Sequence, residues 1–335
     1  MSASEVYIDP TSGSNVTGDG SIGNPYAGLQ YAYNNTVFNT TDGTRFNIKA
    51  GVSADVTGNA AYVFVDRTSA APMTIQGYAS AAGDGGVGKI NTGSAAFYNT
   101  WRQYIHVADL DVTSTLSYNA PYYGVATGCI FRGNITAYTH ARIIGCTVYG
   151  QITVDAFCVV SHNLVIRTGD RNIGCDGAYT VVANNIVIGG TNRSINTYAT
   201  LIWVFQNSVL CAGGTGIHSQ AGTNMWYNNL VQNASTAFSS DTLANSAYSF
   251  GNASHGHVTL TNMKPLYNGP FNDIALAGPV FVDAAGGDYT PSALAAAGGA
   301  GSSGAGDVWF RGAAKPKGGG GGIQVARGMS GGMRS

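Results

Sequence analysis

The sequence predicts an all-β solenoid, a single-stranded parallel β-helix, from three observations. A four-residue phrase recurs as Gly145-Cys146-Thr147-Val148, His162-Asn163-Leu164-Val165, Asn184-Asn185-Ile186-Val187, Gln206-Asn207-Ser208-Val209 and Asn228-Asn229-Leu230-Val231, its second residues spaced by 17, 22, 22 and 22. Each closing Val leads into turn residues such as Gly189-Gly190-Thr191-Asn192, and an apolar pair such as Val181-Val182 or Trp203-Val204 precedes the next phrase. Gly supplies 48 of 335 residues and only 10% are charged, with no stretch that reads as an amphipathic helix. Self-similarity at this period marks a repeat architecture, because one coil cannot bury its apolar face until others stack on it.

The elements follow in order. Tyr7-Ile8 opens a strand closed by Asp9-Pro10, a short helix covers Leu29-Gln30-Tyr31-Ala32-Tyr33, and Phe46-Asn47-Ile48-Lys49-Ala50-Gly51 and Met73-Thr74-Ile75-Gln76-Gly77-Tyr78 are strands. In the repeats, stacking at about 4.8 Å should turn Val148, Val165, Val187, Val209 and Val231 into one internal ladder. Asn163, Asn185, Asn207 and Asn229 should form a corner ladder, since Asn can bond its neighbour's amide and tolerates the left-handed backbone of a tight corner. Their role is to hold the fold rather than to bind a ligand. The five cysteines, odd in number and inside the repeats, read as small buried hydrophobes rather than disulfides or metal ligands. Tyr98, Trp101, Tyr104, Tyr118, Tyr122 and Tyr123 cluster before the regular coils and suit a cap or a subunit interface.

The order helix, strand, then Pro72-Met73-Thr74-Ile75-Gln76-Gly77-Tyr78, with Pro279-Val280-Phe281-Val282-Asp283 and Gly287-Asp288-Tyr289 near the end, resembles right-handed parallel β-helix proteins of the pectate-lyase-like superfamily. The resemblance covers roughly residues 5 to 310 and implies right-handedness and a capping helix. It does not specify function, since lyases, hydrolases, adhesins and viral spikes share this superfold. The expected organisation is a cap with first coils over 1–90, the parallel repeats over 91–290, and a C-terminal cap with a Gly-rich tail over 291–335. That tail departs from the family pattern. It has little apolar surface to bury, and reads either as a frayed end or as an attachment device anchored by Ile323, Val325, Arg327, Met329 and Met333.

Composition excludes several classes. A net charge of −1 leaves no basic stripe for nucleic acid. No run of eighteen apolar residues offers a membrane span, and Met1 to Glu5 lacks the basic start of a signal peptide, so folding in a host cytoplasm is expected.

Chemistry on this fold needs carboxylates gathered on one face: several of them with a nearby Arg or Lys for a Ca²⁺-dependent polysaccharide lyase, or two or three within about 5–10 Å for a glycoside hydrolase. Acids are sparse here, Glu occurring once, at Glu5. Counting from the phrase, Asp155 lies nine residues on, Asp170 seven, Arg171 and Arg193 eight, Asp176 thirteen and His218 eleven. Arg171 and Arg193 should therefore stack, with Asp170 beside Arg171 and Asp155 one rung below. A surface charge ladder accounts for this set, and contact with a glycan or a carboxylate is the sharper reading of Asp155, Asp170, Arg171 and Arg193. Asp109 and Asp111 flank Leu110 with the spacing of a metal clamp. No catalytic residue, metal site or cofactor is assigned, Ca²⁺ entering only with a lyase.

The functional expectation is a structural phage virion protein, a capsid-decorating or tail-spike-like β-helix held by other virion subunits, homo-oligomeric and, by resemblance to spikes, trimeric, that contacts host polysaccharide. A polysaccharide lyase or glycoside hydrolase is the alternative, and a bacterial surface adhesin the second alternative.

Overall fold

Short runs in which apolar residues alternate with small polar ones form strands with one apolar face, and the turn residues between them bend the chain into coils. The computed structural model describes residues 3–51, 53–55, 66–92, 103–113, 118–220, 223–241 and short segments between 248 and 291. A 12-stranded parallel sheet runs from Ser4–Ile8 to Lys264–Pro265, and a 17-stranded parallel sheet forms the remaining walls. An antiparallel pair, Phe281–Asp283 with Asp288–Pro291, follows. The fold is a right-handed parallel β-helix. Helix Leu29–Asn35 packs Leu29, Ala32 and Tyr33 onto the first coil, where the sequence places its capping helix. The attachment anchors Ile323, Val325, Arg327, Met329 and Met333 lie outside the described residues.

Three apolar ladders fill the interior. Val148, Val165, Val187, Val209 and Val231 are in register and fully buried. Val160, Val182, Val204 and Trp226 form a second row, and Ile152, Ile173, Ile195, Ile217 and Phe238 a third. All five cysteines are free and buried among these rows, and desolvation drives up the thiols of Cys129, Cys158, Cys175 and Cys211, that of Cys158 to about 12 and that of Cys211 to about 11.

One corner carries the asparagines. Asn185 Oδ1 accepts from the backbone N–H and the side-chain amide of Asn163, while Asn185 Nδ2 donates to Val160 O and to Asn207 Oδ1. Asn207, Asn229 and Asn252 repeat the pattern. The left-handed backbone falls one residue earlier than the sequence suggests, at His162, Asn184, Gln206 and Asn228, with φ between 53° and 58°. The corner strain and the ladder therefore sit on neighbouring residues, which is why the phrase needs two polar positions.

A second left-handed corner holds Tyr104, Tyr123, His140, Phe157, Tyr179 and Leu201. The rings from Tyr104 to Tyr179 stack face to face with centroids 4.6 to 5.0 Å apart. Tyr118 stacks on Phe131 inside the coil, and Tyr122 stacks on Tyr138. Tyr104, Tyr122 and Tyr123 run along the solenoid wall instead of gathering as a cap, because each occupies one position of a rung, while Tyr118 belongs to the core. Tyr98 and Trp101 lie outside the described residues.

Replacing Asn185 by Ala strands several buried polar groups at once, so a stability loss of about 3 kcal/mol or more is expected in urea denaturation. Val16→Ala, at a side chain 91% exposed, should change stability by no more than about 0.5 kcal/mol.

Candidate functional site

The third strand of each coil is followed by a residue whose N–H donates to the preceding rung. Tyr138 donates to Ala120 O, Asp155 to Ala137 O, Asp176 to Val154 O, Tyr198 to Cys175 O, Gln220 to Thr197 O and Asp241 to Ser219 O. These residues form one column, and within it Asp155 and Asp176 are adjacent, flanked by Tyr138 below and Tyr198 above. Both carboxylates are exposed on the outer wall. With rungs about 4.8 Å apart, their backbones stand at about that separation.

The surroundings of the two acids differ. Thr139 Oγ1 donates to Asp155 Oδ2 at 2.9 Å, which orients that carboxylate. Asp176, although open to solvent, loses part of its hydration to neighbouring protein atoms, and this raises its carboxyl above the usual aspartate value. The Arg171 guanidinium pulls it down, and the Asp155 charge pushes it further up. Arg171 lies over Gly174, where a side-chain carbon would stand 3.7 Å from its Nη1, and it donates to Tyr198 Oη at 2.6 Å. Arg167 donates to Gln151 Oε1 and to Arg171 O.

The structure redistributes the residues singled out in the sequence. Arg171 and Arg193 are register partners, as the offsets suggest, and Asp170 Oδ2 lies 3.9 Å from Arg171 Nε. Asp155, however, does not sit below Asp170 but stacks on Asp176. Val148 and Ile152 pair with Val165 and Ile173, so four residues of one coil face eight of the next. The extra residues form an outward bulge around Gly169 and Asp170. Counting from the phrase crosses this bulge and separates two acids that share a column. Asp109 and Asp111 part as well. Asp109 takes a left-handed corner at φ 51°, while Asp111 accepts from Arg132 Nε and Nη2, both at 2.9 Å, so they form no clamp. Among the described residues no three His, Cys, Asp or Glu side chains gather as a metal site.

No family model matches the chain, and no curated protein matches it. Among solved structures, the chain is similar to pectate lyase Pel9A at 11% identity, over 84% of this chain and 83% of the lyase, with a TM-score of 0.58. A GH136 lacto-N-biosidase from Eubacterium ramulus matches at 13% identity over 81% of this chain and 67% of that one, with a TM-score of 0.48. At such identities the likeness shows the fold alone, and the biosidase superposes too loosely to carry an argument. The expectation of a structural phage virion protein, capsid-decorating or tail-spike-like, is corrected by this finding. The pectate lyase is an enzyme and not a virion protein, so the fold match lends the virion reading no support. Two acids on adjacent rungs suffice for a carboxylate pair, so a low total of acids does not exclude one.

A carboxyl titration followed by NMR should place the Asp176 midpoint above the ordinary value of about 3.9. Arg171→Met should raise it further and Asp155→Asn should lower it. Because the folded carboxyl holds its proton longer than the unfolded one, stability should fall as pH climbs from the ordinary value to the raised one, and Asp176→Asn should flatten that slope.

Proposed function

We propose that this chain hydrolyses glycosidic bonds of a polysaccharide, with Asp176 as general acid and Asp155 as its ionised partner. The observation that carries this reading is the adjacency of the two aspartates in one column, one rung of about 4.8 Å apart, which lets their carboxyl groups reach the spacing of a retaining pair. The raised carboxyl of Asp176 suits a group that must hold a proton to give away. Asp176 donates its proton to the glycosidic oxygen while Asp155 attacks the anomeric carbon, and the leaving sugar departs as an alcohol. Water, deprotonated by Asp176, then displaces Asp155 with retention.

Tyr138 and Tyr198 bracket the pair and offer aromatic surface to sugar rings on either side of the scissile bond. Arg167, Arg171 and Arg193 lie on the same wall and favour an acidic polysaccharide. The lyase alternative asks for a Ca²⁺ with six to eight oxygen ligands, and two carboxylates beside a guanidinium do not suit that donor set. No step is therefore routed through a metal.

Incubation with polygalacturonate, alginate and neutral glycans tests the proposal. New reducing ends without unsaturated sugars are expected, with Asp155→Asn and Asp176→Asn each slowing release by about 10²- to 10⁴-fold. Unsaturated products would move the chain to the lyases, and cleavage that survives both substitutions would end the assignment.

A further inference from the structure

Further along the same wall, two rungs beyond Asp176, three more side chains converge. Ile217 and Phe238 point into the core, so their neighbours His218 and Ser239, which are register partners, point outward. Ser239 Oγ lies 2.6 Å from His218 Nδ1. Asp241 Oδ1 lies 3.0 Å from His218 Nε2, off the line of a well-formed hydrogen bond. With the imidazole proton on Nε2, on the side of the carboxylate, Nδ1 is the nitrogen that accepts the serine hydroxyl.

Earlier rungs fill the outward position of this row with Thr136, Thr153 and Gly174, so a coil wall does not require an ionisable group here. Desolvation, and then the Arg193 charge, lower the histidine's affinity for a proton, while Asp241 opposes them. The net effect keeps the imidazole neutral and able to act as a base at neutral pH.

We propose that Ser239, His218 and Asp241 are a nucleophile, its base and an orienting carboxylate that together hydrolyse small O-acyl esters. Ser239 Oγ attacks the acyl carbonyl carbon as its proton passes to His218 Nδ1, and the carbonyl oxygen takes the electron pair. Arg193, whose charge reaches His218, supplies positive potential for that oxyanion. Collapse breaks the ester C–O bond, and the alcohol leaves with the proton from Nδ1. Water then attacks the acyl-serine carbon and gives a proton to Nδ1, which returns it to the departing Ser239 oxygen. The net products are an alcohol and a carboxylic acid. Ser239 is only 9% exposed, which restricts the acyl group to one of about acetyl size. The chemistry does not depend on Asp155 or Asp176, so it stands or falls apart from the glycosidase reading.

The full-length chain is treated with a fluorophosphonate serine probe and, separately, with p-nitrophenyl acetate. Peptide mapping should place the probe on Ser239, and Ser239→Ala and His218→Ala should each lower ester turnover by about 100-fold or more. Asp241→Asn, at a side chain 43% exposed, disturbs folding least and should still lower turnover by about 10-fold or more. Circular dichroism of each variant separates loss of chemistry from loss of fold. A wild-type chain that takes up no probe and turns over no ester overturns the proposal. So does probe carried at another residue, or turnover unchanged in the folded Asp241→Asn variant.

Discussion

The rung-to-rung hydrogen bond is the constraint on which the rest of this molecule depends. Parallel strands pair coil upon coil, and the buried asparagines extend the pairing into a corner where the backbone alone would leave donors and acceptors unmet. Each asparagine side chain uses both its oxygen and its nitrogen, so removing one strands buried groups on the coils beside it. With register held there, every other position is repeated at one fixed spacing, and a column of like-placed residues becomes a ruled line on the surface.

Both clusters on the outer wall are products of that ruling. Asp155 and Asp176 approach because their coils present the same position one rung apart, and His218 and Ser239 approach for the same reason. Neither arrangement needs a specialised loop. The wall supplies spacing, and the sequence chooses which side chains stand on it. The acids differ in character through their immediate neighbours, a threonine hydroxyl at Asp155 and a guanidinium with partial dehydration at Asp176.

Much of the fold was legible because its signals are periodic. The valine ladder, the asparagine corner and the capping helix each follow from spacing or from a short resemblance, and the structure places them where the residues indicate. The candidate site was less legible. The bulge around Gly169 and Asp170 adds four residues to one coil, and an offset counted across it assigns Asp155 and Asp176 to different columns. Aligning the apolar residue before each acid, Val154 with Cys175, would have recovered the pair. His218 and Ser239 carried no motif at all, since their meeting depends on register between coils and not on distance along the chain. The virion expectation rested on low charge, a missing signal sequence, a Gly-rich tail and a count of acids, none of which reports which side chains share a column.

Each coil touches only the coils beside it, and this has a kinetic consequence. Opening starts at the two ends and advances one coil at a time, so amide protection should rise from the termini toward the middle of the chain. The coils that carry Asp155 and Asp176 sit well inside the stack, shielded by neighbours on both sides. Proteolysis or mild heating would shorten this molecule from its ends long before it reached the two aspartates.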